Sequence, residues 1–206
     1  MVDKGLFIVL SGCSGVGKGT VQTKVLRDMP ELKFSVSATT RAPREGEVDG
    51  VDYHFLTEQE FEKKLANGEF LETVNLFGNH YGTLNSEIDE NIIKGYDVFL
   101  EIDTEGAMTV RKKRKDAILL FILPPSVSEL AKRLVGRGTE TEESIKLRES
   151  KIYDELKMAE NYDYVVVNDD VESCAKQVES IIKAEKLKTI RNIEKLKQIR
   201  GENTQC

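Results

Sequence analysis

The chain has 206 residues, of which 39% are hydrophobic and 32% charged, and its formal net charge is −6. This length and balance of residue types predict a globular protein with one substantial core and argue against a disordered chain. The acidic charge argues against non-specific nucleic-acid binding, no apolar run approaches the ~20 residues of a membrane span, and the N-terminus lacks a signal-peptide pattern. We therefore expect a cytoplasmic protein without a nucleic-acid or membrane partner.

A glycine-rich stretch follows the apolar run 6–10 and precedes a segment with helical character, Thr20 to Asp28. Its residues are Gly12, Cys13, Ser14, Gly15, Val16, Gly17, Lys18, Gly19 and Thr20. A phosphate chain needs this arrangement, because the loop turns its N–H groups inward, the helix N-terminus adds positive potential and Lys18 adds a full charge. The pattern predicts a nucleotide phosphate site. The position after Lys18 is usually a Ser or Thr whose hydroxyl binds magnesium, but here it is Gly19. Thr20 is therefore the candidate to bind magnesium through its hydroxyl.

The three cysteines are too few and too scattered for a disulfide framework or a zinc site. Cys13 lies inside the glycine-rich stretch, where N–H dipoles and Lys18 favour a lowered thiol pKa and a reactive thiolate. The alternative is that Cys13 is an inert small residue.

Apolar runs and turn residues predict alternating strands and helices along the rest of the chain. The expected strands are 34–38, 70–74, 79–83, 97–103, 117–123 and 164–167, the last one buried, and the expected helices are 58–67, 88–94 and a basic amphipathic helix from Val178. This alternation implies an α/β fold, a parallel sheet flanked by helices, with a small mixed α/β insertion over about 35–90. We expect the C-terminal helix to pack against the core or a second subunit.

Polar residues next to these elements are the candidates for binding. Arg41 and Arg44 are forked phosphate donors in the loop 39–55, with Tyr53 as a further donor, although the loop also fits a solvated surface segment. Asp103 follows an apolar strand and is placed either to hold magnesium, directly or through water, or to cap the next helix.

A second group of arginines lies towards the C-terminal half. Arg133 and Arg137 are four residues apart and share a helix face, and Gly136 and Gly138 allow that segment to close as a lid. The basic run 111–115 fits a solvated helix end.

Seven motifs follow one another along the chain: G-C-S-G-V-G-K-G-T at 12–20, S-x-T-T-R-x-P-R-x-G-E-x-D-G-x-D-Y-x-F at 37–55, F-L-E at 70–72, Y-G-T at 81–83, I-D-x-E-G at 102–106, R-L-x-x-R-G-T-E at 133–140 and V-N-D at 167–169. In this set of motifs the chain resembles the guanylate kinases from about residue 5 to 190. The resemblance implies transfer of the terminal phosphoryl group of ATP, with Mg²⁺, to GMP and also to dGMP. It also implies a P-loop core (5–34 and 95–190), a GMP-binding subdomain (35–94), a helical lid (136–150) and a C-terminal helix and tail (180–206).

The resemblance also implies roles for single residues. Those matching the family's GMP site are Ser37, Arg41, Arg44, Tyr53, Glu72, Tyr81, Thr83 and Asp103. Glu72 and Thr83 match the readers of guanine, which offers N1–H and N2–H₂ donors to a carboxylate and the O6 acceptor to a hydroxyl. In the family, positively charged side chains surround the phosphoryl group during transfer, and the residues that match them are Lys18, Arg41, Arg133, Arg137 and Arg148. Asn168 matches a residue near the adenine of ATP. Thr20 and Asp103 are the implied metal residues, largely through water.

Two departures and two alternatives accompany the resemblance. Cys13 stands where we expect proline, and Glu105 stands where glutamine is common. A peptide-binding module that has lost catalysis typically lacks a working phosphate loop, whereas Gly12, Gly17 and Lys18 are present here. A kinase for another small acceptor would share the core, but Glu72 with Thr83 favours guanine. Beyond ATP and GMP, a homo-oligomer is a possible assembly.

Overall fold

The structure is a computed structural model that describes residues 4–76, 78–130 and 152–202. Its strands are β1 (Phe7–Gly12), β2 (Lys33–Phe34), β3 (Ala38–Thr39), β4 (His54–Phe55), β5 (Phe70–Leu76), β6 (Asn79–Leu84), β7 (Val98–Glu101), β8 (Ala117–Leu123) and β9 (Tyr164–Val167). Its helices are α1 (Lys18–Asp28), α2 (Glu58–Ala66), α3 (Asn85–Ile93), α4 (Thr104–Lys113), α5 (127–130), α6 (152–158), α7 (Val171–Lys186) and α8 (Ile193–Ile199).

The main sheet is parallel throughout and has the strand order β2-β7-β1-β8-β9. Its central strand β1 is buried along its whole length. Because side chains alternate along a strand, Ile8 and Leu10 pack with residues of α1 and α7, whereas Phe7 and Val9 pack with residues of α3 and α4 on the other face. Burial on both faces explains why β1 and β8 are almost continuously apolar.

A smaller sheet has the order β4-β3-β6-β5, with antiparallel β3–β6 and β5–β6 pairs. Helix α2 packs on it through Phe61, whose ring stacks on Phe70 with 4.4 Å between centroids. A capping box begins α2, because Thr57 accepts from the backbone of Glu60 and the Glu60 side chain accepts from the backbone of Thr57. These elements form the mixed insertion.

The predicted strand 34–38 is wrong as a single strand, because the chain passes from one sheet to the other within it. Phe34 in β2 pairs with Phe99 in the main sheet, whereas Ala38 in β3 pairs with Gly82 in the smaller sheet. Ser37 lies just before β3, so it reaches the space between the two sheets.

The predicted strand 164–167 forms, but only Val166 is buried in it. Among the strands that the structure describes, β9 is at the edge of the main sheet and pairs with β8 alone. Val165 is 56% exposed and Val167 45% exposed. A run of valines predicts a strand but does not distinguish an edge from a centre.

The C-terminal stretch is not one helix. Helix α7 ends at Lys186, a 3₁₀ turn covers Thr189–Arg191, and α8 follows. The Asn192 side chain donates to the carbonyls of Lys186 and Lys188, which satisfies acceptors left open at the end of α7. Leu187 is 79% exposed and Ile190 78% exposed, so the predicted packing against the core stops before them. Within the described ranges, no helix is both long and apolar enough to cross a bilayer.

Candidate active site

The glycine-rich loop joins the central strand β1 to the N-terminus of α1. Gly17 begins the helix with φ +94°, a conformation that L side chains rarely adopt, and a Cβ there would come within 2.7 Å of the Asn168 side-chain nitrogen. Lys18 Nζ donates to the carbonyls of Gly12 at 2.9 Å and Cys13 at 3.2 Å. The lysine charge therefore lies over the loop, as the motif predicts for a phosphate site.

Two side chains from the far end of the sequence contact this loop. Asn168 is buried, and its side-chain nitrogen donates to the carbonyl of Val16 at 2.8 Å. Glu155 on α6 accepts a hydrogen bond from the backbone N–H of Ser14 through Oε2 at 3.1 Å. Asn168 thus holds the backbone of the loop, and Glu155 places a carboxylate on one of its N–H groups.

Cys13 does not have the lowered pKa that its position suggests. The side chain is fully buried, and burial, followed by the negative charge of Glu155, raises the thiol pKa to about 11, although the charge of Lys18 acts in the opposite direction. The thiolate is the reactive form of cysteine. The structure therefore favours an inert small residue.

A cavity of about 380 Å³ lies between the two sheets and reaches the loop lysine, Lys18. It brings together many of the residues predicted for the GMP site: Ser37, Arg44, Tyr53, Glu72, Tyr81 and Asp103. These residues come from the crossing after β2, the loop before β4, the strands β5 and β6, and the end of β7. The cavity is thus one space lined both by cations, Lys18 and Arg44, and by the carboxylates of Glu72, Glu101 and Asp103.

Glu72 and Asp103 are two of the carboxylates that line the cavity. Glu72 is 4% exposed, and the hydroxyl of Thr83 donates to its Oε1 at 2.6 Å. Burial is the main cause that raises the pKa of Glu72; the nearby Asp103 also raises it, whereas the Thr83 hydrogen bond and the charge of Lys113 lower it. Asp103 Oδ1 accepts from the backbone N–H of Gly106 at 2.7 Å, so Asp103 does cap α4.

Arg41 and Thr83 do not line this cavity. The Arg41 guanidinium forms a bidentate ion pair with Glu47, in which both N–O distances are 2.9 Å. It also lies 5.4 Å from the centre of the Tyr53 ring. The hydrogen bond to Glu47 raises the pKa of Arg41 above its ordinary value. Thr83 is fully buried behind the carboxylate that it contacts.

A sequence model of the family described as guanylate kinase matches residues 4–185. The chain belongs to the guanylate kinase family. It is 48% identical to the guanylate kinase of Clostridioides difficile (strain 630) over 201 residues, covering 96% of this chain and 98% of that one. It is 46% identical to the guanylate kinase of Clostridium perfringens (strain SM101 / Type A) over 194 residues, covering 94% and 90%.

The fold of a guanylate kinase of known structure is also similar. The crystal structure of guanylate kinase from Anaplasma phagocytophilum has a TM-score of 0.77 to this chain at 33% identity, with 98% of this chain and 97% of that one covered. The sequence prediction of an α/β fold with a parallel sheet flanked by helices is confirmed, and so is the resemblance to the guanylate kinases.

One acidic residue of this guanylate kinase family member was absent from the predicted site. Glu101 is the last residue of β7, lines the cavity with Lys18, and lies near Gly19, where an added Cβ would be 3.6 Å from its Oε2. Burial raises the pKa of Glu101, and the charge of Lys18 lowers it. The sequence could have indicated Glu101 through its spacing from Asp103. The two residues are two positions apart, and side chains two apart in an extended segment face the same way.

Several residues that the guanylate kinase resemblance implies are not in the cavity. Thr20 lines a separate groove beside α1, with Lys24 and Arg27. Arg133, Arg137, Arg148 and the expected lid 136–150 lie outside the described residues. Over 4–76, 78–130 and 152–202, no group of three or more His, Cys, Asp or Glu side chains is arranged to hold a metal ion by itself.

Proposed function

We propose that the chain transfers the terminal phosphoryl group of ATP to GMP, giving ADP and GDP. The observation that carries this proposal is the single cavity that joins Lys18 of the phosphate loop to Glu72 and Asp103. One end suits the phosphates of two nucleotides, and the other suits a base that presents hydrogen-bond donors. Membership of the guanylate kinase family supports the same reaction.

We assign the loop 12–20 to the phosphates of ATP. Its backbone N–H groups and the N-terminus of α1 favour negative charge, and Lys18 is held over the loop by two carbonyls. Phosphoryl transfer depends chiefly on positioning and charge stabilisation, and a phosphate nucleophile needs no strong base. In this scheme Arg133, together with Arg137 and Arg148 of the lid segment 136–150, supplies further positive charge, and Asn168 lies near the adenine.

We assign the cavity itself to GMP. Ser37, Arg44 and Tyr53 line it and carry donors for the GMP phosphate, and Arg41 reaches the same phosphate if its fork leaves Glu47. Glu72 accepts from N1–H and N2–H₂ of guanine, and Thr83 and Tyr81 position the reader or the base. The base contacts are the same in dGMP, so we include dGMP as an acceptor. Residues 35–94 then form the GMP-binding subdomain, and 5–34 with 95–190 form the core.

Mg²⁺ fits the acidic residues beside the phosphate loop. Oxygen ligands suit Mg²⁺, and Glu101 lines the cavity next to Lys18, with Asp103 two residues further along. We propose that Glu101 and Asp103 hold the ion largely through water, and that Thr20, which lines a separate groove here, joins them only if its side chain turns towards the cavity. When bound, the ion neutralises charge between the phosphates of the donor. We also propose that the enzyme acts in the cytoplasm.

A coupled assay of ADP formation tests the proposal. Purified chain is supplied with ATP and Mg²⁺, and with GMP, AMP, CMP, UMP or no acceptor. We expect ADP with GMP, and little with the other acceptors, because adenine turns the N1 lone pair towards Glu72. A Lys18→Ala variant is the control for a contaminating kinase. ADP formation that is equal with every acceptor, or equally fast without one, would contradict the proposal.

A further inference from the structure

A lysine of the core helix α4 reaches across to the strand that carries Glu72. Lys113 is the last residue of α4, and its Nζ donates to the backbone carbonyl of Leu71 on β5 at 2.5 Å. Leu71 directly precedes Glu72, so the lysine is bonded to the backbone next to the proposed guanine reader. The two bonded residues are 42 positions apart in sequence. The bond therefore links the main sheet's helix layer to the smaller sheet.

Helix α4 also approaches β5 closely near its N-terminus. A Cβ added at Gly106 would lie 3.0 Å from Glu72 Oε2 and 3.3 Å from Asp103 Oδ1. The glycine therefore lets the two carboxylates come near each other at the start of α4, and Lys113 fixes the strand at the end of the helix. Any movement of β5 relative to α4 changes where Glu72 lies.

The charges around Glu72 are unequal. Burial and the carboxylate of Asp103 disfavour its ionised form, whereas the Thr83 hydroxyl and the charge of Lys113 favour it, and these effects together leave its pKa raised. Across the cavity the other charged or titratable groups are Lys18, Arg44, Tyr53, Tyr81 and Glu101. Lys113 thus acts on Glu72 in the direction opposite to that of Asp103, although it is the smallest of these effects, and it does not line the cavity.

We propose that Lys113 is a positioning residue for GMP recognition, which holds the backbone at Leu71 and keeps the carboxylate of Glu72 charged and aimed into the cavity. This inference rests on the proposed function. Guanine N1–H and N2–H₂ are both donors, so an ionised carboxylate accepts from both, whereas a protonated one offers an O–H to one of them. Lys113 acts through Glu72 and does not touch the nucleotide.

The test compares Lys113→Met, which keeps the length of the side chain but removes its charge, with Lys113→Arg and with Lys112→Met. Lys112 is the exposed neighbour on the same helix, and Met at that position is the matched control. GMP binding is measured by calorimetry without ATP from pH 5.5 to 8, and KM is measured for GMP and for ATP. Thermal unfolding of each variant checks that the fold is retained.

We expect Lys113→Met to weaken GMP binding roughly fivefold to tenfold at pH 7.5, the size of one lost charge-assisted contact at a partly exposed site. The ratio of wild-type to variant affinity should rise as the pH falls, because the pKa of Glu72 is higher without the lysine charge. Titration of the GMP phosphate itself cancels in this ratio. Lys113→Arg should restore most of the affinity, Lys112→Met should match the wild type, and KM for ATP should not change.

Three results would overturn the inference: equal losses in Lys113→Met and Lys112→Met, an affinity ratio that is flat with pH, or an equal rise in KM for ATP. A failure of the proposed function gives a different result. In that case the wild-type chain itself neither binds nor phosphorylates GMP, and the inference about Lys113 is then wrong as well.

Discussion

Replacing Glu72 by Gln tests the base reader with the smallest possible change. The two side chains have nearly the same shape, but glutamine has no charge and one of its acceptor oxygens becomes an NH₂ donor. The Glu72 carboxylate is buried, and one of its oxygens is already bonded to Thr83 at 2.6 Å. The glutamine amide therefore cannot satisfy Thr83 and both guanine donors as the carboxylate does.

The magnitude follows from hydrogen bonds to a charged group, which contribute about 1.5–3 kcal/mol each. Glu72→Gln loses one such bond and leaves its NH₂ group facing a guanine donor, which together amount to about 3–4 kcal/mol. At about 1.4 kcal/mol per tenfold, kcat/KM for GMP should fall roughly 100- to 1000-fold. ATP binding should stay within about twofold, because the hydrogen bond of the Glu72 side chain is with Thr83 and not with the phosphate loop.

Stability should move in the opposite direction. Burial raises the pKa of Glu72 above the ordinary value of 4.5, so the folded state binds the proton more tightly than the unfolded state does. The carboxylate therefore costs folding free energy at pH values above 4.5, and the cost grows as the pH rises through the folded-state pKa. Glu72→Gln removes this cost, so at neutral pH its unfolding midpoint should not fall below that of the wild type.

Steady-state kinetics with GMP varied, calorimetry with ATP, and thermal unfolding at pH 5 and pH 8 measure these effects. An unchanged kcat/KM for GMP would falsify the assignment of Glu72 to guanine. A large loss of stability with equal losses for both substrates would instead mean that Glu72 is a structural residue.

Three further predictions concern the phosphate loop. Lys18→Ala should lose on the order of 1000-fold in kcat while the chain still folds, because the residue supplies the full charge of the loop; near-normal turnover would rule out that role. Glu155→Gln should tighten ATP binding severalfold in calorimetry, because it removes a negative charge from the N–H of Ser14. Asp154→Asn is the control, and weaker ATP binding in Glu155→Gln would show that Glu155 assists the nucleotide. Cys13, with a pKa of about 11, should have roughly 0.1% thiolate at pH 8 and resist iodoacetamide in a mass-spectrometric time course. Modification of Cys13 as fast as a free thiol would contradict its burial.

Local patterns in the sequence predicted the parts of the site that depend on neighbouring residues. The apolar run before Gly12 and the helix after Gly19 both form, and the loop between them lies where the motif predicts. Motif spacing also brought Arg44, Tyr53 and Glu72 to one cavity. These predictions succeed because all three residues lie on the smaller sheet or in the loop before its strand β4, so they come from one compact part of the fold.

Other features depend on pairing between distant segments, which a local pattern does not show. The run 34–38 looks like one strand, yet its two ends join different sheets through β7 and β6. The pKa of the Cys13 thiol also depends on distant segments. Burial and the charge of Glu155, 142 positions away in the sequence, raise this pKa more than the neighbouring charge of Lys18 lowers it. Glu155 itself has no local signal, since its contact with Ser14 exists only in the folded chain.

The ion pair between Arg41 and Glu47 shows a further limit of motif reasoning. Both residues lie in the pattern S-x-T-T-R-x-P-R-x-G-E, whose spacing does not reveal that the arginine guanidinium is bonded to the glutamate. If Arg41 has the role that we propose for it, its guanidinium must leave Glu47 before it binds the GMP phosphate.

The most direct test of the central claim follows the phosphoryl group itself. ATP labelled with ³²P in its terminal phosphate is mixed with the chain, Mg²⁺ and GMP, and the nucleotides are separated by chromatography. We expect label in GDP in an amount equal to the ADP formed, and transfer on the order of 1000-fold slower with the Lys18→Ala variant. Label that appears only as inorganic phosphate, or that stays in ATP while GMP is bound, would contradict it.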